Sequence, residues 1–589
     1  MVGPAESTGE HSGIKRSPLR PDMTVRQVAA DYPGCQEVLR RYGESERESA
    51  KFGHLEPLGH FARRHGLDSD QLLAELAAAA GVEVDRQAQQ TQAVHRPFLV
   101  SALAITLTLG AGWGAWLLWE IGRAGQFAAV PASHVVAHGS AQLWGFIAFF
   151  VIGIALRYLP MSVGGPPLRP FFCHLLLAAL LTGVVGGFFW SLGPERAGWL
   201  GPLSGSALGI AALVFLIFLY HQLAGKLHFT WARLILAAGI WMTIWAGVTL
   251  VLRYRENATG PGSYSESLRQ LLMELAIFGF TLNAIYGFGQ RLLPGIAGSA
   301  TPHKSVIEWT FWLHNMGVLL ALPASFARLA GLEALAAAML TAAALAYVIG
   351  MRGFLRVRRS TPRPEVGEAL LVRYVPLAFF WLLTAMALLV AGDCYAVVGS
   401  QSLPHPYLGA IRHALTVGFM TTLILGVAQR LVPILEHTLL AWPRLVAPIF
   451  VLIATGNLLR VSTEMATLFA APAFVLMPFS ALLELAALAL FAANIVRTFW
   501  PPLDPLLRTG QATLRTPVAL LLAEYPWLED QLLGWGFGYV GRVRSVPREL
   551  TLGTLARSEG KEPEEILARI NDLLQRHFAS RVGSGSDGR

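Results

Sequence analysis

The chain has 589 residues, 54% of them hydrophobic and only 14% charged, with a mean hydropathy of +0.48; this excludes an ordinary soluble globular protein and points to a polytopic membrane protein. Cys35, Cys173 and Cys394 lie far apart and form no CxxC pair, which excludes a disulfide framework and a zinc finger. The net charge of +8 reads as lysine and arginine at the cytoplasmic face of a membrane, not as a nucleic-acid surface.

Residues 1–20 are rich in Gly, Ser and Pro and are expected to form a disordered tail. The first 90 residues carry no membrane-spanning stretch and no signal-peptide pattern, so the amino terminus is expected not to be exported. Residues 21–90 turn soluble and helical: Val25-x2-Val28-Ala29, Tyr32-Pro33, Val38-Leu39, then Leu58-x3-Ala62 and Leu72-Leu73. Residues 512–580 repeat the scheme. Gly536 follows Pro526 as Gly43 follows Pro33, and Leu552 precedes Gly560 as Leu58 precedes Gly66. Two copies of one small helical domain, each ending helices at glycine, are thus expected to bracket the membrane part.

Between them, from 96 to 499, about twelve apolar stretches are long enough to cross ~30 Å of hydrocarbon as helices. A frame G-F-x6-G-x3-R-x2-P recurs in this region without a gap: Gly145-Phe146 to Arg157 and Pro160, Gly279-Phe280 to Arg291 and Pro294, Gly418-Phe419 to Arg430 and Pro433. The copies are 134 and 139 residues apart, which places one on the second helix of each of three four-helix pseudo-repeats. The fold class is therefore all-α: a polytopic membrane protein of about twelve transmembrane helices with small soluble helical domains at both ends. Basic residues in alternate loops put both termini in the cytoplasm and the chain in the inner membrane of a bacterial-type cell. Arg157, Arg291 and Arg430 then end their helices on the inner side. A cation is favoured there by the helix dipole and anionic headgroups, so these arginines read as architecture.

Of sixteen histidines, only His134, His138, His405 and His413 fall toward the outer side of the membrane, with His314 near its middle. Ionisable groups inside a bilayer usually face a polar or cofactor-filled interior. His138 and His413 lie on motif helices of the first and third repeats, which can face each other across a shared interior. Two neutral imidazoles so placed suit a six-coordinate haem iron; hydrogen bonding between helices is the bland alternative. Gln142 is four residues after His138, on the same helix face, where it can orient the ligand. Cys35 with His54 and His60 offers metal ligands in the first small domain, although a packing role is the default for a lone cysteine.

The membrane part resembles the NnrS family and, more distantly, subunit I of haem-copper oxidases and nitric oxide reductases. The residues that carry this are Arg96-Pro97-Phe98, His138 through Phe146, and Arg412-His413-Ala414-Leu415-Thr416-Val417-Gly418. The family's second-helix motif reads like H-x-H-E-x-x-x-G-F; here Ser140 and Ala141 stand for the second histidine and the acid. In the oxidases the tenth helix has a second histidine where Ile411 stands, and the seventh has adjacent histidines where this chain has His314-Asn315. The resemblance therefore implies a preserved low-spin haem on His138 and His413 without a standard binuclear centre, while Glu274 and His314 offer ligands to one copper or non-haem iron. It also implies that Arg460 pairs with haem propionates; snorkelling to headgroups is the alternative. The terminal domains resemble the DUF1858 type, with Leu528 at the counterpart of Cys35, and cytoplasmic protein partners are expected for them.

The function these likenesses imply is that of a haem-binding, or haem- and copper-binding, membrane protein of nitric oxide or nitrosative-stress metabolism, with membrane lipid around it and no nucleic acid. A quinol-linked haem-copper-type reductase of nitric oxide or oxygen is one alternative, and a transporter or sensor without catalysis is another. Whether the chain turns over a substrate stays open at this level.

Overall fold

The computed structural model describes residues 19–20, 23–42, 58–64, 67, 69–84, 93–193, 198–259, 266–297, 302–327, 329–352, 366–399, 403–436, 438, 440–500, 506, 511–525, 527–542 and 550–583. The expected tail over 1–18, His54, the glycines at 43 and 66 and Pro526 lie outside them, and so does the side chain of His60. The described residues divide into two compact units, one within 1–90 and 517–550, the other within 91–516 and 551–589. Among the described residues the secondary structure is helical, with a single isolated bridge between Leu19 and Val84.

The second unit contains the membrane helices. Eleven are long and apolar enough to span: Arg96–Ala124, Ala132–Val163, Pro170–Leu192, Leu200–Lys226, Thr230–Thr259, Ser267–Pro294, Ala330–Gly350, Val372–Gly399, His405–Leu435, Pro443–Ala466 and Ala471–Phe499. The seventh in chain order, Lys304–Ala327, has 24 residues but carries Lys304, Glu308, His314 and Asn315, which dilute its hydropathy. Its pattern is still that of a membrane helix turned inside out. Ile307, Thr310, His314, Gly317, Val318 and Ala321 are buried at helical spacing, while Trp309 and Phe326 stand 62% and 66% exposed on the opposite side, where lipid would cover them. The expectation of about twelve helices is met.

The three motif helices form the centre. Their apolar windows are 83%, 72% and 78% buried for Ala132–Val163, Ser267–Pro294 and His405–Leu435, against 39–50% for the other eight spans. Each also widens into an eight-residue π-helix at the same place: Ala141–Ala148, Leu275–Leu282 and Ala414–Thr421, with the first motif glycine fifth in every one. A π-turn loosens the backbone ladder. Side chains take up the loosened carbonyls five residues back, Thr281 from Ala276 at 2.8 Å, Thr421 from Thr416 at 2.9 Å and Thr422 from Val417 at 3.1 Å.

The repeated glycines mark where each repeat's first helix presses onto its second. A Cβ added at Gly145 would strike Ile105, at Gly279 it would lie 3.1 Å from Trp241, and at Gly418 2.6 Å from Trp381. The second glycine of the frame does the same about two turns on, against Leu99, Ile235 and Tyr374 for Gly153, Gly287 and Gly426. Backbone contact of this closeness is how helices gain van der Waals energy where lipid offers no hydrophobic drive.

Polar contacts close the bundle at the arginine end. Arg96, which opens the first membrane helix, grips Glu436 beyond the tenth through Nε at 2.9 Å and through Nη2, and His95 Nε2 lies 2.9 Å from the same carboxylate. Arg291 donates to the Ser162 carbonyl at 3.2 Å and stacks on Trp231, 4.6 Å from the ring centroid. These contacts put the ends of all three motif helices on one side, so the repeats run in parallel, and Arg291 serves contacts between helices.

The small helices at the two ends match element by element. Val25–Asp31, Cys35–Arg41 and Leu58–Arg64 are seven residues each, as are Val518–Glu524, Leu528–Gly534 and Leu552–Ser558. The residue that ends the first helix, Tyr32 or Tyr525, has φ and ψ of −131° and 81° or −133° and 73°. Leu58 N–H donates to Met23 and Leu552 N–H to Thr516, at 2.8 and 3.0 Å. Gly536 and Gly560 end helices at φ +81° and +69°, a region open to glycine at little cost.

The packing yields a stability test. A Cβ at Gly287 would lie 2.5 Å from Ile235 Cγ1 and 3.0 Å from two backbone atoms, whereas at Gly209 it would meet nothing within 4 Å. Gly287→Ala is expected to destabilise the detergent-solubilised protein by about 1–3 kcal/mol, and Gly209→Ala to leave it unchanged or firmer by about 0.5–1 kcal/mol. Denaturant unfolding followed by circular dichroism reads both.

Candidate functional site

The second and tenth membrane helices start alike, each behind a proline in extended conformation, Pro131 and Pro404. Their histidines follow just ahead of the π-segments. His138 Nδ1 lies 3.0 Å from the Gly110 carbonyl on the first helix. That helix is itself interrupted by a π-segment over Thr106–Gly110, and Gly110 has φ −87° and ψ −106°, which turns its carbonyl out of the ladder. A carbonyl only accepts, so Nδ1 carries the proton and Nε2 keeps its lone pair. Gly114 makes the room, since a Cβ there would meet His138 Cε1 at 2.5 Å. Gln142 shares the face, as expected, but its Oε1 accepts from Thr106 Oγ1 at 2.9 Å. The group that orients His138 is therefore Gly110.

His413 has a different surround. Its Nδ1 is 2.9 Å from the Gly409 carbonyl and 3.0 Å from Glu464 Oε2, and its Nε2 is 3.4 Å from Arg460 Nη2. Arginine only donates, so here too the proton sits on Nδ1 and the lone pair on Nε2. The two Nδ1 distances are nearly equal, yet the N–H points along the line to Gly409, and Oε2 is a buried oxygen with no aligned donor among the described residues. Arg460 Nη2 reaches Glu464 Oε1 at 3.4 Å. Arg460 Nε and Nη1 are buried with no hydrogen-bond partner among the described residues.

Both histidines line one cavity of about 630 Å³. Its wall includes Gln142, Trp245, Arg253, Glu256, Arg269, Arg412, Arg460, Glu464 and Glu484. Trp144 and Trp245 stack at 3.7 Å and 14° within it, joining the first repeat to the second. Arg253 is held by Ser204 Oγ at 2.6 Å and the Gly183 carbonyl at 3.3 Å, in a space that a Cβ at Gly187 would fill. A pocket of this size, mostly apolar with a few placed polar groups, is of the kind that holds a cofactor. A family model described as NnrS protein matches residues 90–502. The chain belongs to the NnrS family. No curated protein matches it.

Within this NnrS-family chain, sequence reasoning missed Glu464, Glu484 and Arg253 as cavity residues. Glu464 had a signal: it stands four residues after Arg460 in an otherwise apolar helix, the spacing of a helical ion pair. Glu274 and His314 are not brought to the cavity, whose wall contains neither. Glu274 Oε1 accepts from Ser325 Oγ at 2.6 Å and Gln270 at 3.2 Å. His314 Nε2 pairs with the Phe278 carbonyl at 2.8 Å. Ser325 and His314 lie eleven residues apart on the seventh helix, roughly 16 Å at 1.5 Å per residue, so the two candidate ligands serve different stations. No group of three or more His, Cys, Asp or Glu poised for a metal occurs among the described residues.

Cys35 is fully buried, and its Sγ donates to the Leu76 carbonyl at 3.2 Å. Burial pushes its thiol up, away from the thiolate that binds metal or reacts. Cys173 is buried as well, and Cys394 is exposed. Under native conditions at neutral pH, N-ethylmaleimide is expected to modify Cys394 and to reach Cys35 only after denaturation; mass spectrometry of the labelled protein counts the sites. Native modification of Cys35 would contradict its placement in the core.

Proposed function

We propose that this protein holds a haem between His138 and His413 in the cytoplasmic membrane and acts in nitric oxide metabolism. One observation carries the reading. Imidazoles from two different repeats line a single cavity, each with its Nδ1 proton toward a backbone carbonyl and its lone pair on Nε2; at His413 a metal would take that lone pair from Arg460 Nη2, 3.4 Å away. Metal-bound histidines are held in this tautomer by such outer partners. The wall also fits the rest of a haem: Trp144 and Leu143 give apolar surface, and the unpartnered donors of Arg460 suit a propionate.

A haem held by His138 and His413 would supply one-electron chemistry and the capacity to bind a diatomic such as nitric oxide. The chain's own residues do the rest. Gly110 and Gly409 fix the imidazole tautomers, Gly114 sets the ring position, and Arg460 neutralises an anionic edge. The surrounding helices limit water, which strengthens each of these contacts. The proposal uses one metal only, because Glu274 and His314 serve separate polar contacts. Parallel repeats also differ from the inverted repeats common in transporters.

The detergent-purified protein is expected to show a haem in its reduced-minus-oxidised spectrum. His138→Ala and His413→Ala should each weaken haem retention roughly tenfold or more, about 1.4 kcal/mol, or alter the spectrum. A protein that takes up no haem, or two variants with unchanged spectra, would sink the proposal. The orientation has its own check. With both termini in the cytoplasm, Cys394 near the end of the ninth membrane helix faces outward, and a membrane-impermeant maleimide should label it in intact spheroplasts; protection until lysis would invert the topology.

A further inference from the structure

Glu464 is a buried carboxylate on the eleventh membrane helix, 2% exposed. Its Oε2 is 3.0 Å from His413 Nδ1 and its Oε1 is 3.4 Å from Arg460 Nη2. The first contact lacks an aligned donor while the Gly409 carbonyl takes the N–H at 2.9 Å. A buried carboxylate oxygen without a donor is costly, and a small turn of the ring redirects the N–H onto it. A bond to an ionised acceptor is about twice as strong as one to a neutral carbonyl. The backbone is shaped around this acid, since a Cβ at Gly409 would collide with Glu464 Oε1. His138 has no counterpart: the partner of its Nδ1 is the neutral Gly110 carbonyl.

We propose that Glu464 is a positioning residue that gives His413, and not His138, an anionic hydrogen-bond partner. The inference rests on the haem reading above, and it makes the two axial ligands unequal. An imidazole leaning on a carboxylate is a stronger donor and favours the more positive, oxidised metal. The protein therefore holds its haem at a lower potential than two carbonyl-backed histidines would, and the bond to His138 is the weaker one.

The test is a redox titration of the haem-loaded full chain, with wild type and Glu464→Gln compared. The variant keeps the shape and removes the charge. It is expected to retain haem and to raise the reduced-to-oxidised ratio at a fixed poise about tenfold, a shift of ~59 mV upward for one electron. Gly409→Ala, which displaces Glu464 without removing it, should move the potential in the same direction. An unchanged potential in E464Q with haem bound overturns the inference and leaves the haem reading intact. If E464Q does not retain haem, Glu464→Asp decides: an upward shift supports the proposal, and a wild-type potential or loss of haem there too assigns Glu464 to the fold instead. A wild type that takes up no haem fails the underlying reading, a distinguishable result.

Discussion

Helices in lipid must approach closely to attract one another, because the surrounding tails are as apolar as the side chains. In this protein that approach occurs six times at glycine, twice in each motif helix, with an aliphatic or aromatic side chain of the repeat's first helix filling the space. The closeness pulls three helices to the centre and leaves nine around them. It also admits the π-segments, because a widened turn next to a missing Cβ does not collide with its neighbour. The interruption at Gly110, the tautomer of His138 and the shape of the cavity all follow from backbone brought this near to backbone.

Against that apolar frame the charges at the cavity are conspicuous. Arg253, Glu256, Arg460 and Glu464 are each at most 7% exposed, in a setting where an ionised side chain is expensive unless paired or turned toward a polar interior. Arg460 and Glu464 answer to each other and to His413, and Arg253 answers to Ser204 and Gly183. None of this is required to pack helices, since the middle repeat does so with Glu274 bonded to a serine. The cavity wall gathers three imidazoles, those of His138, His405 and His413, with several guanidinium groups and buried acids.

Much of this was legible in the residues and some was hidden for a definable reason. Membrane helices announce themselves by length and hydropathy, and a gapless frame recurring at 134 and 139 residues exposes a three-part architecture. His138 and His413 stood out because a polar residue in an apolar helix is rare. Register across helices was not legible. Gln142 lies on the expected face, yet its oxygen meets Thr106 rather than the imidazole, and nothing local to either residue encodes that. Glu274 and His314 looked like partners because they stand on the helices where the oxidases carry copper ligands, but pairing depends on height along the helices, and they meet Ser325 and the Phe278 carbonyl instead. Glu464 went unread beside Arg460, whose position near a helix end invited a headgroup explanation.

One position repays a further look: the residue five before each first motif glycine, which is Ser140, Glu274 and His413 in turn. In the second and third copies its partner comes from the third helix of the same repeat, Ser325 for Glu274 and Glu464 for His413. The glycine frame that builds the repeat thus makes no demand on the chemistry carried one turn above it. Within this one chain a histidine, an acid and a hydroxyl therefore stand at the same height in the three repeats, while the helices close around the same glycines.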